Sequence, residues 1–257
     1  MDYLNYGSKQ VQQKPKGFGQ QKVQLTKDDF SFGDLSQQTP QPQEAPQTNF
    51  EMMSLFSVPI AIFSCPFDYS EELEWIKKQP IRDNKDKVLN EISLNRQSDD
   101  TFMLDKPEMS RVRQFIDSKL KEFVFKIMGS DDEVTITQSW TNRSVKGESH
   151  HEHKHPNSII SGVWYPQIHE KLPPIQFKND RQRDVSLSIK RFNNFNSSTY
   201  MLPLKMGELI LFPSDLRHKV PTNQSDEERI SLSFNTWCKG NMGNKESLTY
   251  LPLDRCV

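Results

Sequence analysis

The chain has 257 residues with a formal net charge of −1, and only 34% of its residues are hydrophobic. This length allows one large domain, and the low apolar content indicates that a polar appendage accompanies the core. No apolar run reaches the ~18 residues of a membrane span, no signal-peptide pattern opens the chain, and the near-neutral charge argues against general nucleic-acid binding, so we predict a soluble, cytoplasmic protein.

Residues 1–50 form a polar, low-complexity segment with eleven Gln and four Pro. Few clustered aliphatic side chains are present to offset the entropy lost on ordering, so we predict a disordered tail. The alternative is a tail that becomes ordered on a protein partner or within a homo-oligomer. Aromatic residues spaced like anchors favour that alternative: Tyr3, Tyr6, Phe18, Phe30 and Phe32.

From Met53 the composition changes, and the residues that follow predict one strand and two helices. The apolar run Leu55–Phe63 predicts a strand that Pro59 places at an edge or a bend. Asp68 and Glu71 resemble a capping box that opens a helix through Gln79. A second helix is predicted from Pro107 to Gly129. Its apolar stripe consists of Val112, Phe115, Ile116, Leu120, Phe123, Val124 and Ile127.

After Gly129 the apolar residues recur with a period of two, which is typical of strands. The predicted strands are Val134–Trp140, Ser158–Tyr165, Ile175–Phe177, Val185–Ile189, Glu208–Phe212 and Ile230–Trp237. Two helices followed by many short strands predict a mainly β fold with supporting helices packed on a β-sandwich or jelly roll.

The cysteines Cys65, Cys238 and Cys256 are too few and too far apart for a disulfide framework or a cysteine-rich zinc site. A metal site therefore depends on the histidines, of which five are His150, His151, His153, His155 and His218. If the first four lie on a strand, His151, His153 and His155 share one face. A His-x-His pair with a distant third His predicts a metal site with open positions, suited to Fe(II). The alternative is a solvated His-rich loop.

Arg229 and Ser231 would lie on the same side of a strand, where a guanidinium and a hydroxyl can together bind a carboxylate. A dicarboxylate could then contact this pair at one end and a metal at the other. The alternative is a surface arginine paired with Asp226, Glu227 or Glu228.

Three segments in order, His153–Tyr165, Gly207–Val220 and Glu228–Asn235, resemble the 2-oxoglutarate/Fe(II)-dependent oxygenases. They match a prolyl-hydroxylase-like branch that reads H-x-H-P-x-S-x-x-S-G-V-Y-Y, then L-x-F-P-S-x-L-x-H-x-V, then E-R-x-S-x-S-F-N. The resemblance covers residues 53–238, so residues 1–50 and the C-terminal extension 239–257 fall outside it. It implies a double-stranded β-helix, which is a cupin-like jelly roll.

The resemblance also implies the cofactors Fe(II) and 2-oxoglutarate. The metal ligands would be His153, His155 and His218, and the residues that bind 2-oxoglutarate would be Tyr165, Arg229 and Ser231. No catalytic residue beyond the metal ligands is implied. The reaction would decarboxylate 2-oxoglutarate to succinate and hydroxylate an unidentified substrate, which Trp140, Asn142 or Trp164 could contact.

His155 departs from the pattern, because most relatives outside this branch carry Asp or Glu at this position. An imidazole does not lower the charge of the metal centre as a carboxylate does. A different register, in which Glu152 binds the metal through the triplet His150–Glu152, is an alternative.

Two other functions stay open. The first is a non-catalytic jelly roll without cofactors, which serves as a structural or interaction protein such as a tailed-phage virion component, with residues 1–50 binding a partner. The second is a cupin-like dioxygenase with a three-His centre and no 2-oxoglutarate, which leaves Arg229 and Ser231 unexplained.

Overall fold

The computed structural model describes residues 55–83, 95–180, 187–193 and 195–255, so the predicted tail and Cys256 lie outside the described residues. Within those ranges, no helix is both long and apolar enough to cross a bilayer.

The first helix, α1, spans Ser70–Lys78, and Asp68 lies just before it. The Asp68 carboxylate accepts hydrogen bonds from both the backbone N–H and the hydroxyl of Ser70. The predicted capping box with Glu71 is wrong, because the N-cap residue is Tyr69 and its side chain makes no capping hydrogen bond.

The second helix, α2, spans Ser110–Phe123, follows a 3-10 turn at Pro107–Met109, and leads into a π-helical turn at Val124–Met128. Gly129 ends it in the left-handed conformation with φ 67°. The predicted apolar stripe is buried as far as Val124, but Ile127 is 51% exposed. The wider π turn shifts the phase of the helix and moves Ile127 off the stripe.

In the part of the chain that the structure describes, eleven strands form two antiparallel sheets. They are β1 Ala61–Ser64, β2 Ile81–Asp83, β3 Arg96–Ser98, β4 Val134–Ser144, β5 His150–His153, β6 Ile160–Gln167, β7 Ile175–Lys178, β8 Thr199–Leu202, β9 Glu208–Pro213, β10 His218–Val220 and β11 Arg229–Cys238. The larger sheet has the order β1-β9-β6-β11-β4-β3-β2 and the smaller one β5-β10-β7-β8. Because the chain from β4 to β11 passes back and forth between the two sheets, the predicted jelly roll is confirmed.

The larger sheet separates two cores. On one face, Trp164 and Phe234 pack with the apolar stripe of α2. On the other, Val163 and Tyr165 pack between the sheets with residues such as Phe212. Alternate residues of β6 therefore serve different cores, as the period of two predicts. The face between the sheets is the one that carries the polar residues described below.

Some strands differ from the sequence prediction. Residues 187–189 of the predicted strand Val185–Ile189 have no regular secondary structure, and the rest of that strand lies outside the described residues. β1 lies at a sheet edge as predicted but is shorter than the run Leu55–Phe63. Four strands were not predicted, because they are only three or four residues long and so too short to show a period: β2, β3, β8 and β10.

Candidate metal centre and anion pocket

Three histidines that the sequence assigns to a metal meet at one end of a cavity between the sheets. His153 on β5 lies directly opposite His218 on β10, and their ring centroids are 4.4 Å apart. His155 follows β5, and its Nε2 lies 3.2 Å from Nε2 of His218. The candidate ligand atoms of all three lie within 4.8 Å of one another, so they could hold one ion.

Hydrogen bonds to the backbone fix which ring nitrogens are free. Nδ1 of His153 lies 2.8 Å from the carbonyl of His151, and Nδ1 of His218 lies 2.9 Å from the carbonyl of Leu216. Since a carbonyl only accepts, each Nδ1 carries the hydrogen and each Nε2 keeps its lone pair for a metal.

Burial also keeps these rings neutral. Desolvation lowers the pKa of His155 to about 4 and that of His218 to about 3. It lowers the pKa of His153 as well. Neutral imidazole is the form that binds metal, so the cluster needs no proton loss near pH 7.

The arrangement corrects two expectations. His151, His153 and His155 do not line the cavity as one face, because β5 ends at His153 and His151 is not among the lining residues. The register that uses Glu152 is also wrong, since that side chain is exposed and forms an ion pair with Lys178 at 3.0 Å. In the described part of the chain, the groups that could hold a metal consist of histidines alone.

A chain of buried hydroxyls connects the turns that carry His155 and His218. The Ser214 hydroxyl donates to Ser158 at 2.8 Å, so it accepts from Ser161, whose oxygen is 2.9 Å away. The carbonyl of Ser214 accepts the backbone N–H of His155 at 3.0 Å. These serines belong to the motifs that carry the family resemblance, but their contacts with one another could not be predicted from the motifs.

Arg229 begins β11 and is only 3% exposed. Its Nη1 donates to the Ser231 hydroxyl and its Nε to the carbonyl of Pro173, both at 3.1 Å. Burial lowers the pKa of this guanidinium. A buried charge without a counter-charge is costly, so the position fits an anionic ligand.

The acids that could have neutralised Arg229 pair with other residues. They form the ion pairs Asp226 with Lys146, Glu227 with His169 and Glu228 with Arg143. The interpretation of Arg229 as a surface residue paired with one of these acids is therefore wrong.

Tyr165 completes this end of the cavity. The Arg229 guanidinium carbon lies 5.2 Å from the centroid of its ring. The phenol oxygen is buried and has no well-aligned hydrogen-bond partner among the described residues, although its interaction with the Arg229 guanidinium lowers its pKa against the larger effect of burial. Burial raises the pKa of Tyr165 to about 12, so the phenol is neutral and keeps a hydrogen to donate. Tyr165, Arg229 and Ser231 therefore fit a carboxylate.

A wall of uncharged side chains joins the two ends. The Asn142 amide donates to Ser233 at 2.9 Å and accepts from Asn95 at 2.9 Å. The Trp140 indole stacks on His155 with centroids 5.9 Å apart. Trp164 packs instead against Tyr69 on the helix side of the sheet and does not line the cavity.

Comparison with known proteins agrees with this geometry. Residues 138–235 match the family described as "Putative 2OG-Fe(II) oxygenase". The structure is similar to HygX from Streptomyces hygroscopicus, solved with nickel, 2-oxoglutarate and hygromycin B, with a TM-score of 0.50 and 9% identity over 70% of this chain and 82% of that one. It is also similar to SnoN, a non-heme alpha ketoglutarate dependent epimerase from nogalamycin biosynthesis, with a TM-score of 0.50 and 11% identity over 70% and 78% of the two chains. No curated protein sequence matches the chain. The predicted fold is confirmed, and the predicted family resemblance is confirmed over residues 138–235.

Proposed function

We propose that this chain, which carries the signature of 2OG-Fe(II) oxygenases over residues 138–235, is an Fe(II)- and 2-oxoglutarate-dependent dioxygenase. It would hydroxylate a substrate while decarboxylating 2-oxoglutarate to succinate. The observation that supports this most is the buried Arg229, which faces neutral imidazoles across one cavity. A dicarboxylate and a metal cation together satisfy both ends. A three-His dioxygenase without 2-oxoglutarate leaves the Arg229 end without its anion.

His153, His155 and His218 would hold the iron. When bound, Fe(II) supplies the O₂ activation that couples 2-oxoglutarate decarboxylation to oxidation of a C–H bond. The protein's contribution is to position the ligands and exclude water. Arg229 and Ser231 lie within hydrogen-bonding distance of each other and would bind the distal carboxylate together, with the Tyr165 phenol as a further donor.

The charges of the site support a metal at the histidines and a 2-oxoglutarate dianion between that metal and Arg229. Three neutral imidazoles leave both positive charges of the metal uncompensated, and Arg229 adds a third. The two negative charges of 2-oxoglutarate therefore reduce the total to one, whereas an Asp at position 155 would reduce it to zero. The low dielectric of a buried site makes this compensation a large part of the binding free energy.

The test is an anaerobic titration of the purified full chain with Fe(II) and 2-oxoglutarate. We expect the weak visible charge-transfer band of the chelate, and its absence at saturating ligand contradicts the proposal. Arg229→Ala should weaken 2-oxoglutarate binding and leave metal binding intact. Equal loss of both means that Arg229 does not act at the carboxylate. Arg217→Ala is the control, because Arg217 is a more exposed arginine paired with Asp180.

The imidazole at position 155 favours one second candidate, a non-catalytic jelly roll that acts as a structural or interaction protein, such as a virion component. In that case residues 1–50 would bind a protein partner or a second copy. Succinate release under air distinguishes the two candidates, since only the dioxygenase consumes 2-oxoglutarate. Deleting residues 1–50 should change the number of chains per particle in solution only if the tail mediates self-association.

A further inference from the structure

We propose that His150, His151 and His153 form a second metal position, which competes with the first for Nε2 of His153. The inference deepens the proposed function and rests on it for the role of the first position, formed by His153, His155 and His218. Only three residues are needed for the second position, and two of them have no role in the first.

The two positions have nearly the same geometry. In the second, the ring centroids are 4.3 Å apart for His150 and His153, 5.2 Å for His150 and His151, and 5.1 Å for His151 and His153. The corresponding distances in the first are 4.4, 5.1 and 5.1 Å. Imidazoles bound to one ion at about 2.0–2.1 Å have their centroids about 5 Å apart. In each group the candidate ligand atoms lie within 4.8 Å of one another.

An irregularity in β5 creates the second position. In a regular strand, residues three apart point to opposite faces, so His150 and His153 would be separated. The pairing of β5 with β10 shifts register between His218 and Val220, as at a β-bulge. The rings of His150 and His153 consequently stack, with an angle of 29° between their planes.

Only one position can be filled at a time. Nδ1 of His153 carries a hydrogen that it donates to the carbonyl of His151, so Nε2 is its single ligating atom. An ion held by His150, His151 and His153 leaves His155 and His218 without their third ligand. His150 and His153 line the cavity and His151 does not, so that ion lies on the β5 side of the cluster and lacks the ligands His155 and His218. Metal in the second position is therefore unavailable to the first.

The experiment uses Co(II) as the probe on the full chain, with binding stoichiometry and visible absorption as readouts. His155→Ala removes only the first position and His151→Ala only the second. The control is His169→Ala, a histidine outside the cluster that pairs with Glu227. We expect one Co(II) per chain in the wild type and in each single variant, with affinity lowered by no more than about tenfold. The double variant, which combines His151→Ala with His155→Ala, should bind no Co(II) at the concentration that saturates the wild type.

Addition of 2-oxoglutarate should change the Co(II) spectrum of the wild type and of His151→Ala, in both of which the first position is intact. Two Co(II) ions per wild-type chain would contradict the competition, and loss of binding in His155→Ala would contradict the second position. If an alanine variant has a lower melting temperature than the metal-free wild type, the glutamine variant at the same position, His155→Gln or His151→Gln, is used in its place. If the Co(II) spectrum of the wild type does not change on addition of 2-oxoglutarate, the proposed function is contradicted. The Co(II) stoichiometries of the variants still decide whether the second position exists.

Discussion

The two ends of the cavity would bind a ligand in opposite ways. The imidazole end carries His153, His155 and His218, and the guanidinium end carries Arg229. The imidazole end has no fixed charge, its tautomers are set by backbone carbonyls, and neighbouring histidines can replace one another. The guanidinium end depends on one buried cation, Arg229, which lies beside a phenol without a well-aligned hydrogen-bond partner. Loss of one ring should therefore be buffered by the others. Loss of the guanidinium should not, because no second cation lines the cavity among the described residues.

The largest effect is expected from Arg229→Met, which removes the charge and keeps the volume of the side chain. We expect 2-oxoglutarate affinity to fall by about 2–5 kcal/mol, or roughly 30- to 5,000-fold, as when a buried charge pair loses one partner. The metal-free protein should gain about 1 kcal/mol of unfolding free energy, because an apolar side chain replaces a buried cation. Calorimetry and chemical denaturation measure the two quantities. A large loss of stability would show that the hydrogen bonds of Arg229 to Ser231 and Pro173 outweigh the cost of its buried charge.

Gly162→Ala should disturb the guanidinium end more than the imidazole end. A Cβ at Gly162 would lie 2.0 Å from the ring of Phe234 on β11, the strand that also carries Arg229. Overpacking of this kind costs about 1–3 kcal/mol of unfolding free energy. Displacement of β11 should weaken 2-oxoglutarate binding and leave the Co(II) stoichiometry unchanged. Adding Phe234→Leu should restore part of the stability. An unchanged melting temperature would mean that the strain does not come from the contact between position 162 and Phe234.

Local repeats and motifs in the sequence predict part of this structure, and contacts between distant segments determine the rest. Apolar periodicity predicts α2 and most of the long strands, because each depends on a local repeat. The spacing of His153, His218 and Arg229 within known motifs predicts both ends of the cavity. The position of His150 could not be predicted, since it depends on a register shift between β5 and β10, strands that are distant in sequence. The exposure of Ile127 likewise follows from a π turn that no residue type specifies.

Ser214→Ala should affect the imidazole end alone. Its hydroxyl bridges Ser158 and Ser161, so its loss removes the side-chain link between the turn that carries His155 and the turn that precedes His218, while the backbone hydrogen bond from His155 to Ser214 remains. Partners outside the ligand set are worth 10–100-fold in metal affinity, and we expect about tenfold weaker Co(II) binding, with 2-oxoglutarate affinity for the metal-loaded protein little changed.

The matched control for this variant is Ser139→Ala. Ser139 is equally buried, but its hydroxyl accepts the backbone N–H of Leu104, away from the cavity. Both variants should lose similar stability, and only Ser214→Ala should lose metal affinity. Ser214→Thr, which keeps the hydroxyl, should restore it. Equal Co(II) affinities for Ser214→Ala and Ser139→Ala would mean that the hydroxyl chain has only a structural role.

The smallest effect is expected from Tyr165→Phe, which tests whether the phenol belongs to the guanidinium end. The hydroxyl forms no well-aligned hydrogen bond in the described structure and belongs to a ring that lies beside the Arg229 guanidinium, so its removal should change the unfolding free energy little. If the phenol donates to the bound carboxylate, 2-oxoglutarate affinity should fall by about 0.5–1.5 kcal/mol, the net worth of one hydrogen bond. Calorimetry on the Co(II)-loaded protein measures this difference. Unchanged affinity would leave Arg229 and Ser231 as the carboxylate-binding pair, and the phenol would then be a buried donor that faces the substrate side of the cavity.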